Sequence, residues 1–257
     1  MWRWTLSEPG LRDWEFALKA RIARCQHFQH LVLYESMRST QDCAVGKPPG
    51  TVVTTLHQYA GRGQRGRHWF SAADAGLAAT FVLPHSLTRE RSIGAAVATA
   101  HAIESHHGRP VGIKWPNDII MDGRKVAGVL IEQSATALIG IGINVGATSW
   151  PASLRDQAGS LEDAGCSISR LEMLETLMTA VDAVESWPIE RIVTSFQSRD
   201  VLTGGWSTFS DRGSRVKGRV CTIDPIRGIE IEMKCGERRF LDASTTRVIQ
   251  AGLVSGR

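Results

Sequence analysis

KWPNDIIMDGRKVAGVLIE, residues 114–132, carries the reading of the fold. Asp122-Gly123 is a hairpin turn signal between two apolar runs, DIIM (118–121) and KVAGVLIEQ (125–133). Lys114 and Lys125 lie eleven residues apart, with Pro116 and the turn between them, so a hairpin of this length brings both near one place. Asn117 and Asp118 are polar residues inside apolar sequence, where burial without partners costs about 2–7 kcal/mol. Gly128, inside an apolar strand, suggests close approach by a ligand or by backbone. These residues alone also fit a hairpin tip with solvated polar side chains.

Outward from this stretch, VGIKW (111–115) and TALIGIGINV (136–145) read as further short strands. Upstream, GTVVTTLHQ (50–58) and GLAATFVLP (76–84) are β-branched or apolar and bounded by proline and glycine. Ile93, Ala96, Val97, Ala100 and Ile103 recur at helical spacing and predict an amphipathic helix over 92–105. A second helix is predicted over 170–187, opened by a Ser169/Glu172 capping box, and a short one over 189–199. One more fits around 14–22. After Gly204-Gly205 the texture turns to strands: RVKGRVCTID (215–224), the alternating GIEIEMK (228–234), RRFLD (238–242) and TRVI (246–249). The expectation is an α+β protein, hairpins with helices on one side, rather than a βαβ alternation. A domain boundary is placed near residue 203, giving 1–202 and a small all-β unit at 203–257.

The 257 residues are 42% hydrophobic and 22% charged, with a net charge of +4. That charge is too weak to mark a nucleic-acid binder and suits a protein that handles anions. Five scattered cysteines, without C-x-x-C, argue against a disulfide framework or zinc site, so no metal-ligand set and a reducing cytoplasm are expected. No signal peptide is visible, and no stretch nears the ~18 apolar residues of a membrane span, so no membrane partner is expected. The first thirty residues do not offer the two helices of a helix-turn-helix, so no DNA partner is expected.

GRGQRGRHW (61–69) contains G-x-G-x-x-G by spacing. A dinucleotide site needs a helix after the glycines, and here HWFSAADAG leads straight into another strand. The acidic residue due about 20 positions later is absent, with Ser86 in that region. No Lys-Ser or Lys-Thr follows Gly66, which excludes a P-loop. A solvated surface loop remains open on composition. Trp69 and Phe70 weigh against it as apolar anchors. Glycines admit a ligand close to the backbone and arginines fork onto phosphate or carboxylate oxygens, so the segment reads as a flap that closes on an anion.

Together these residues resemble the biotin protein ligases. The family's G-R-G-x-x-G-R-x-W stands as Gly61–Trp69, its K-W-P-N-D as Lys114–Asp118, its R-K-x-A-G-[IV]-L-x-E as Arg124–Glu132 and its G-[IL]-G-[IL]-N as Gly140–Asn144. A weaker S-T-N-like element stands as Ser39-Thr40-Gln41. The resemblance covers roughly residues 33–145 in order and spacing. It implies a mixed-sheet catalytic domain of the biotin/lipoate ligase type with a small SH3-like C-terminal barrel, of the group without an N-terminal DNA-binding domain. It implies a cytoplasmic enzyme, monomer or homodimer, that makes biotinyl-5′-AMP from biotin and ATP with Mg²⁺. Biotin then passes to a lysine of a biotin carboxyl carrier protein.

It also implies roles. Lys125 neutralises the biotin carboxylate, and Arg62, Arg65 and Arg67 close over the adenylate, with Arg62 and Arg65 joining Lys125 in catalysis. Backbone N–H groups of Gly61 and Arg62 hold the carboxylate. Ser39, Thr40, Gln41 and Gln58 form the biotin ureido set, and Gly128 leaves room for biotin. Trp69 packs near adenine, Asn117 and Asn144 meet the nucleotide, and Asp118 lies near the phosphates or Mg²⁺. Two positions depart from the pattern: Gln41 replaces the usual Asn, adding a methylene, and Gln64 stands where many members carry Arg. Two other readings stay in view. A lipoate-type ligase would label with lipoate, although the lipoate enzymes carry different motifs at the glycine–arginine loop. A nucleic-acid-binding protein would bind in a salt-sensitive, ATP-independent way.

Overall fold

The computed structural model describes residues 9–85, 88–133 and 135–254, apart from the side chains of Arg65 and Thr88. In chain order the elements are α1 (Leu11–Ile22), β1 (His30–Met37), α2 (Thr40–Ala44), β2 (Thr51–Gln58), β3 (Gly61–Arg62), β4 (His68–Trp69), β5 (Gly76–Pro84), α3 (Thr88–His107), β6 (Gly112–Lys114), β7 (Asp118–Met121), β8 (Arg124–Gln133), β9 (Thr136–Asn144), α4 (Arg170–Glu185) and α5 (Ile189–Gln197). The C-terminal strands follow: β10 (Trp206–Asp211), β11 (Ser214–Asp224), β12 (Gly228–Glu232), β13 (Arg238–Asp242) and β14 (Thr246–Gln250).

Seven strands form one sheet in the order β1-β2-β5-β9-β8-β7-β6. β1 and β2 run parallel, and every other neighbouring pair is antiparallel, so the sheet is mixed. The Asp122-Gly123 turn joins β7 to β8 with positive φ at both residues, 47° and 76°, the mark of the hairpin turn whose twist matches its strands.

One face of this sheet carries the core. Val52, Leu77, Ala79, Phe81, Ile119, Val129, Ile139, Ile141 and Ile143 are each at most 5% exposed and pack under α3 and α4. Burying each large apolar side chain contributes about 1.5–3 kcal/mol. α3 turns Ile93, Ala96, Val97, Ala100 and Ile103 inward, and its many alanines admit α4 closely. The capping box at α4 is present: Glu172 N–H donates to Ser169 Oγ, and Ser169 N–H donates back to Glu172 Oε2, both at 3.2 Å. α1 packs on α4, and α5 on α3.

The expectation of helices on one side needs one addition. The five-residue α2 lies on the opposite face, over β2, β5 and β9, above a small apolar cluster of Ala44, Val53, Val82 and Leu138. The C-terminal sheet is antiparallel throughout, ordered β13-β12-β11-β10-β14, in keeping with an SH3-like unit. No helix among the described residues is long and apolar enough to cross a membrane.

Candidate active site

β9 presents two different surfaces. Ile139, Ile141 and Ile143 enter the core, while Gly140, Gly142 and Asn144 alternate onto the other face. The register sets Gly128 of β8 and Ala78 of β5 beside Gly142, and Thr80 of β5 beside Gly140. The result is a floor of backbone and small side chains on the α2 side of the sheet.

Larger side chains lie directly on that floor. A Cβ on Gly142 would stand 2.5 Å from the Trp69 indole, and one on Gly140 would stand 2.6 Å from Gln41 Oε1. At Gly128 a Cβ would meet Lys125 Nζ at 2.9 Å and the Trp69 ring at 3.1 Å. The close approach expected at Gly128 is therefore made by Trp69 and Lys125.

The flap is a hairpin. Gly61 pairs with Trp69 and Arg62 with His68, around a single 3₁₀ turn at Gln64–Gly66. Gly63 N–H donates to Arg67 O at 2.7 Å. Because Trp69 belongs to the flap, lifting the hairpin uncovers the glycines. Trp69 Nε1 is buried without a hydrogen-bond partner among the described residues.

At the far end, a polar chain fixes the orientation of Gln58. Its Oε1 accepts from Thr40 N–H at 2.8 Å and from Thr40 Oγ1 at 3.2 Å. Its Nε2 is thereby turned toward Gly61. Thr80 Oγ1 lies 2.9 Å from Thr40 Oγ1 and 3.1 Å from Gln41 Oε1, within hydrogen-bond reach of both. Gln41 Nε2 donates to Leu138 O at 3.2 Å, so both ends of that amide are engaged within the protein. Ser39 Oγ, 2% exposed at the residue level, has no partner among the described residues.

At the other end two lysines converge, as the hairpin spacing predicted. Lys114 Nζ bonds Asp118 Oδ2 at 2.9 Å, and Lys125 Nζ bonds the second carboxylate oxygen. Two ammonium groups against one carboxylate leave one uncompensated positive charge. Lys125 Nζ also lies 5.4 Å from the centre of the Trp69 ring, a cation–π contact. Burial works to raise the Asp118 pKa, but the charges and hydrogen bonds of Lys125 and Lys114 outweigh it and hold the carboxyl below its ordinary range.

A bulge aims Lys125. Ile119 faces Ala127 while Ile120 faces Lys125, so Val126 is an extra residue in β8. In a regular strand Lys125 would share the core face with Ala127 and Val129. Instead Val126 and Ala127, adjacent in sequence, both enter the core at 1% and 0% exposure, and Lys125 emerges on the glycine face. The Lys125 backbone also moors the segment after β9: Lys125 N–H donates to Gln157 O at 2.8 Å, and Gly159 N–H donates to Lys125 O at 3.0 Å.

The two asparagines bind backbone. Asn117 Nδ2 donates to Val129 O at 2.7 Å, and Asn144 Nδ2 to Gly159 O at 2.9 Å. Both hold the walls of the site. The flap arginines diverge: Arg62 forms ion pairs with Asp42 and Glu132, Arg67 is exposed, and the Arg65 side chain lies outside the described part. No group of three His, Cys, Asp or Glu side chains that could hold a metal is found among the described residues.

Thr80, Gly142, Asp42 and Glu132 were not singled out as site residues by sequence reasoning. The small-residue alternation in GLAATFVLP and GIGIN was the available signal for the first two. Glu132 closes the R-K-x-A-G motif, and Asp42 had no signal.

A family model described as the biotin/lipoate A/B protein ligase family matches residues 32–146. The chain is 36% identical over 191 residues to a bifunctional ligase/repressor BirA from Bacillus spizizenii, covering 67% of this chain and 57% of that protein. The chain thus spans little more than half the length of this relative. It is 33% identical over 215 residues to a biotin–[acetyl-CoA-carboxylase] ligase from Mycobacterium tuberculosis, covering 79% of this chain and 77% of that one. Among solved structures, a biotin protein ligase from Aquifex aeolicus in complex with biotin and ATP superposes with a TM-score of 0.78 at 23% identity, over 87% of this chain and all of that one. At that identity the likeness is one of fold.

Proposed function

The chain belongs to the biotin/lipoate A/B protein ligase family, and from that premise we propose that it activates biotin with ATP and transfers it to a carrier-protein lysine. The observation that carries this reading is the pairing of two ends under one flap. Ser39 Oγ, buried and without a partner among the described residues, and Gln58, whose Oε1 is held by Thr40, stand at one end, and a net-positive Lys114–Asp118–Lys125 cluster stands at the other.

In the first step a carboxylate oxygen of biotin attacks the α-phosphorus of ATP, forming biotinyl-5′-AMP and releasing pyrophosphate. Two anions must be brought together, and Lys125 offsets their repulsion and the charge developing on the phosphates. Asp118 holds Lys125 and Lys114 apart and oriented. Arg62, through its backbone N–H, and Gly61 meet the carboxylate, while the phosphates are assigned to Arg65 and Arg67 by the family pattern alone. Trp69, Asn117 and Asn144 bound the adenine side. Mg²⁺ bound with the nucleotide would offset phosphate charge, with Asp118 the carboxylate placed to face it. In the second step the neutral amine of the acceptor lysine attacks the acyl carbon, and AMP leaves. The flap keeps water from the mixed anhydride between the steps.

Biotin is favoured over lipoate by the polar end. A ureido ring offers N–H donors and a carbonyl acceptor to Ser39 and Gln58. A dithiolane offers neither and would leave the buried Ser39 Oγ unpaired, at about 1–3 kcal/mol. The division at residues 202/203 belongs to the same reading, supported by the Gly204-Gly205 pair ahead of β10. The experiment is biotin-dependent pyrophosphate release from ATP, followed by label transfer to a biotin carboxyl carrier domain. Labelling of a lipoyl domain with lipoate in preference would overturn the reading.

A further inference from the structure

Arg62 of the flap reaches across the mouth of the site. Its Nη1 pairs with Asp42 on α2, and its Nη2 pairs with Glu132 on β8. α2 carries Thr40 and Gln41 of the polar end, and β8 carries Lys125 and Gly128 of the charged end. One guanidinium therefore ties the flap to both walls. Glu132 continues the glycine-face series of Gly128 and Leu130, and its backbone lies opposite Leu138, beyond the Leu130–Gly140 pair. Arg38 Nε stands 3.8 Å from Asp42 Oδ2, so part of the negative charge gathered around Arg62 is balanced from outside.

We propose that Asp42 and Glu132 are positioning residues that hold the flap closed through Arg62, so that Trp69 stays seated on Gly128 and Gly142. The inference deepens the ligase reading given above and rests on it for its kinetic part. Three features support the role. The two carboxylates come from separate elements on either side of the flap, and among the described residues the guanidinium is the partner they share. The orientation draws the Arg62 side chain to the rim and leaves its backbone at the base of the hairpin beside Gly61. The side chains are 43%, 39% and 34% exposed for Arg62, Asp42 and Glu132, a setting in which an ion pair is weak enough to open and reform. A cover that must admit substrate and release product needs a reversible fastening.

The test is a double variant, Asp42→Asn with Glu132→Gln, beside the charge-conserving Asp42→Glu. Trypsin nicking of the 62–67 segment is followed in the folded protein without any ligand. The double variant should be cut about tenfold faster than the parent, and Asp42→Glu near the parental rate. About 0.5 M KCl should speed cutting of the parent and leave the double variant little changed. In biotin-dependent pyrophosphate exchange the double variant should show KM for biotin raised several-fold with kcat within about twofold, as expected when the binding-competent closed form is less populated. Equal nicking rates in parent and double variant overturn the proposal, as does a loss confined to kcat. A parent without biotin-dependent exchange would remove the ligase reading, while the ligand-free nicking would still decide the role of the two acids.

Discussion

Gln58 shows how one amide is given a direction by its neighbours. With Oε1 held by Thr40 N–H, Nε2 faces the site as a donor. Gln58→Glu keeps the acceptor and removes the donor, so the KM for biotin should rise by roughly 10–100-fold with the melting temperature little changed; an unchanged KM would place the ureido ring elsewhere. Asp118 carries a pH signature. Its carboxyl is held below its ordinary 3.8, so the stability it contributes is fully present above that value and lost as pH falls through the lower folded-state pKa. Asp118→Asn should therefore lower the denaturation midpoint at neutral pH, and the gap to the parent should narrow as pH falls below 3.8. A gap independent of pH would contradict the assignment. At this scale the sequence reported residue types well and their partners poorly. Gln41 was visible as an Asn with one more methylene, but only the fold shows that the longer amide reaches Leu138 O across Gly140.

The glycines of β9 were equally visible, but what they accommodate was not. A methyl on Gly142 would occupy the space of the Trp69 indole, so Gly142→Ala should unseat the flap. The expected result is loss of most adenylation with core melting retained, checked by pyrophosphate exchange beside far-UV circular dichroism. An active Gly142→Ala enzyme would mean that Trp69 leaves the floor during catalysis. Strands bounded by turn residues, such as β5 and β7, were read from the chain with their ends intact. β1 was missed because it is an edge strand whose exposure does not alternate, and its segment lacks the flanking glycines and prolines that mark β2. β3 and β4, two residues each, are too short for any periodicity. The bulge at Val126 was also hidden, because a period of two, once assumed, assigns Lys125 to the wrong face. The adjacent apolar pair Val126-Ala127 is its trace in the sequence.

Across the whole molecule, the motif that supplies the charge cluster also joins the two sheets. Trp115 Nε1 donates to Pro225 O at 3.0 Å, and Gln197 Nε2 donates to Ile223 O at 3.1 Å. Ile113 N–H donates to Arg199 O at 2.7 Å, and Val201 N–H returns to Ile113 O at 3.3 Å. Trp115→Phe leaves the Pro225 carbonyl without its indole donor, which should cost about 1 kcal/mol and lower Tm by about 2–4 °C. Calorimetry of the pair of proteins checks this, and an unchanged Tm would show that the joint rests on packing alone. Six strands of the large sheet and four of the five later ones could be anticipated from texture, while β1 and β10 could not. This joint could not, because nothing in K-W-P-N-D says that its tryptophan donates to Pro225 O of the other sheet's turn. Trp115 follows Lys114 directly and stands three residues before Asp118, with its ring pinned to the far sheet. The C-terminal strands thus serve as an anchorage for the four-residue span between Lys114 and its carboxylate, held there by a single indole hydrogen bond.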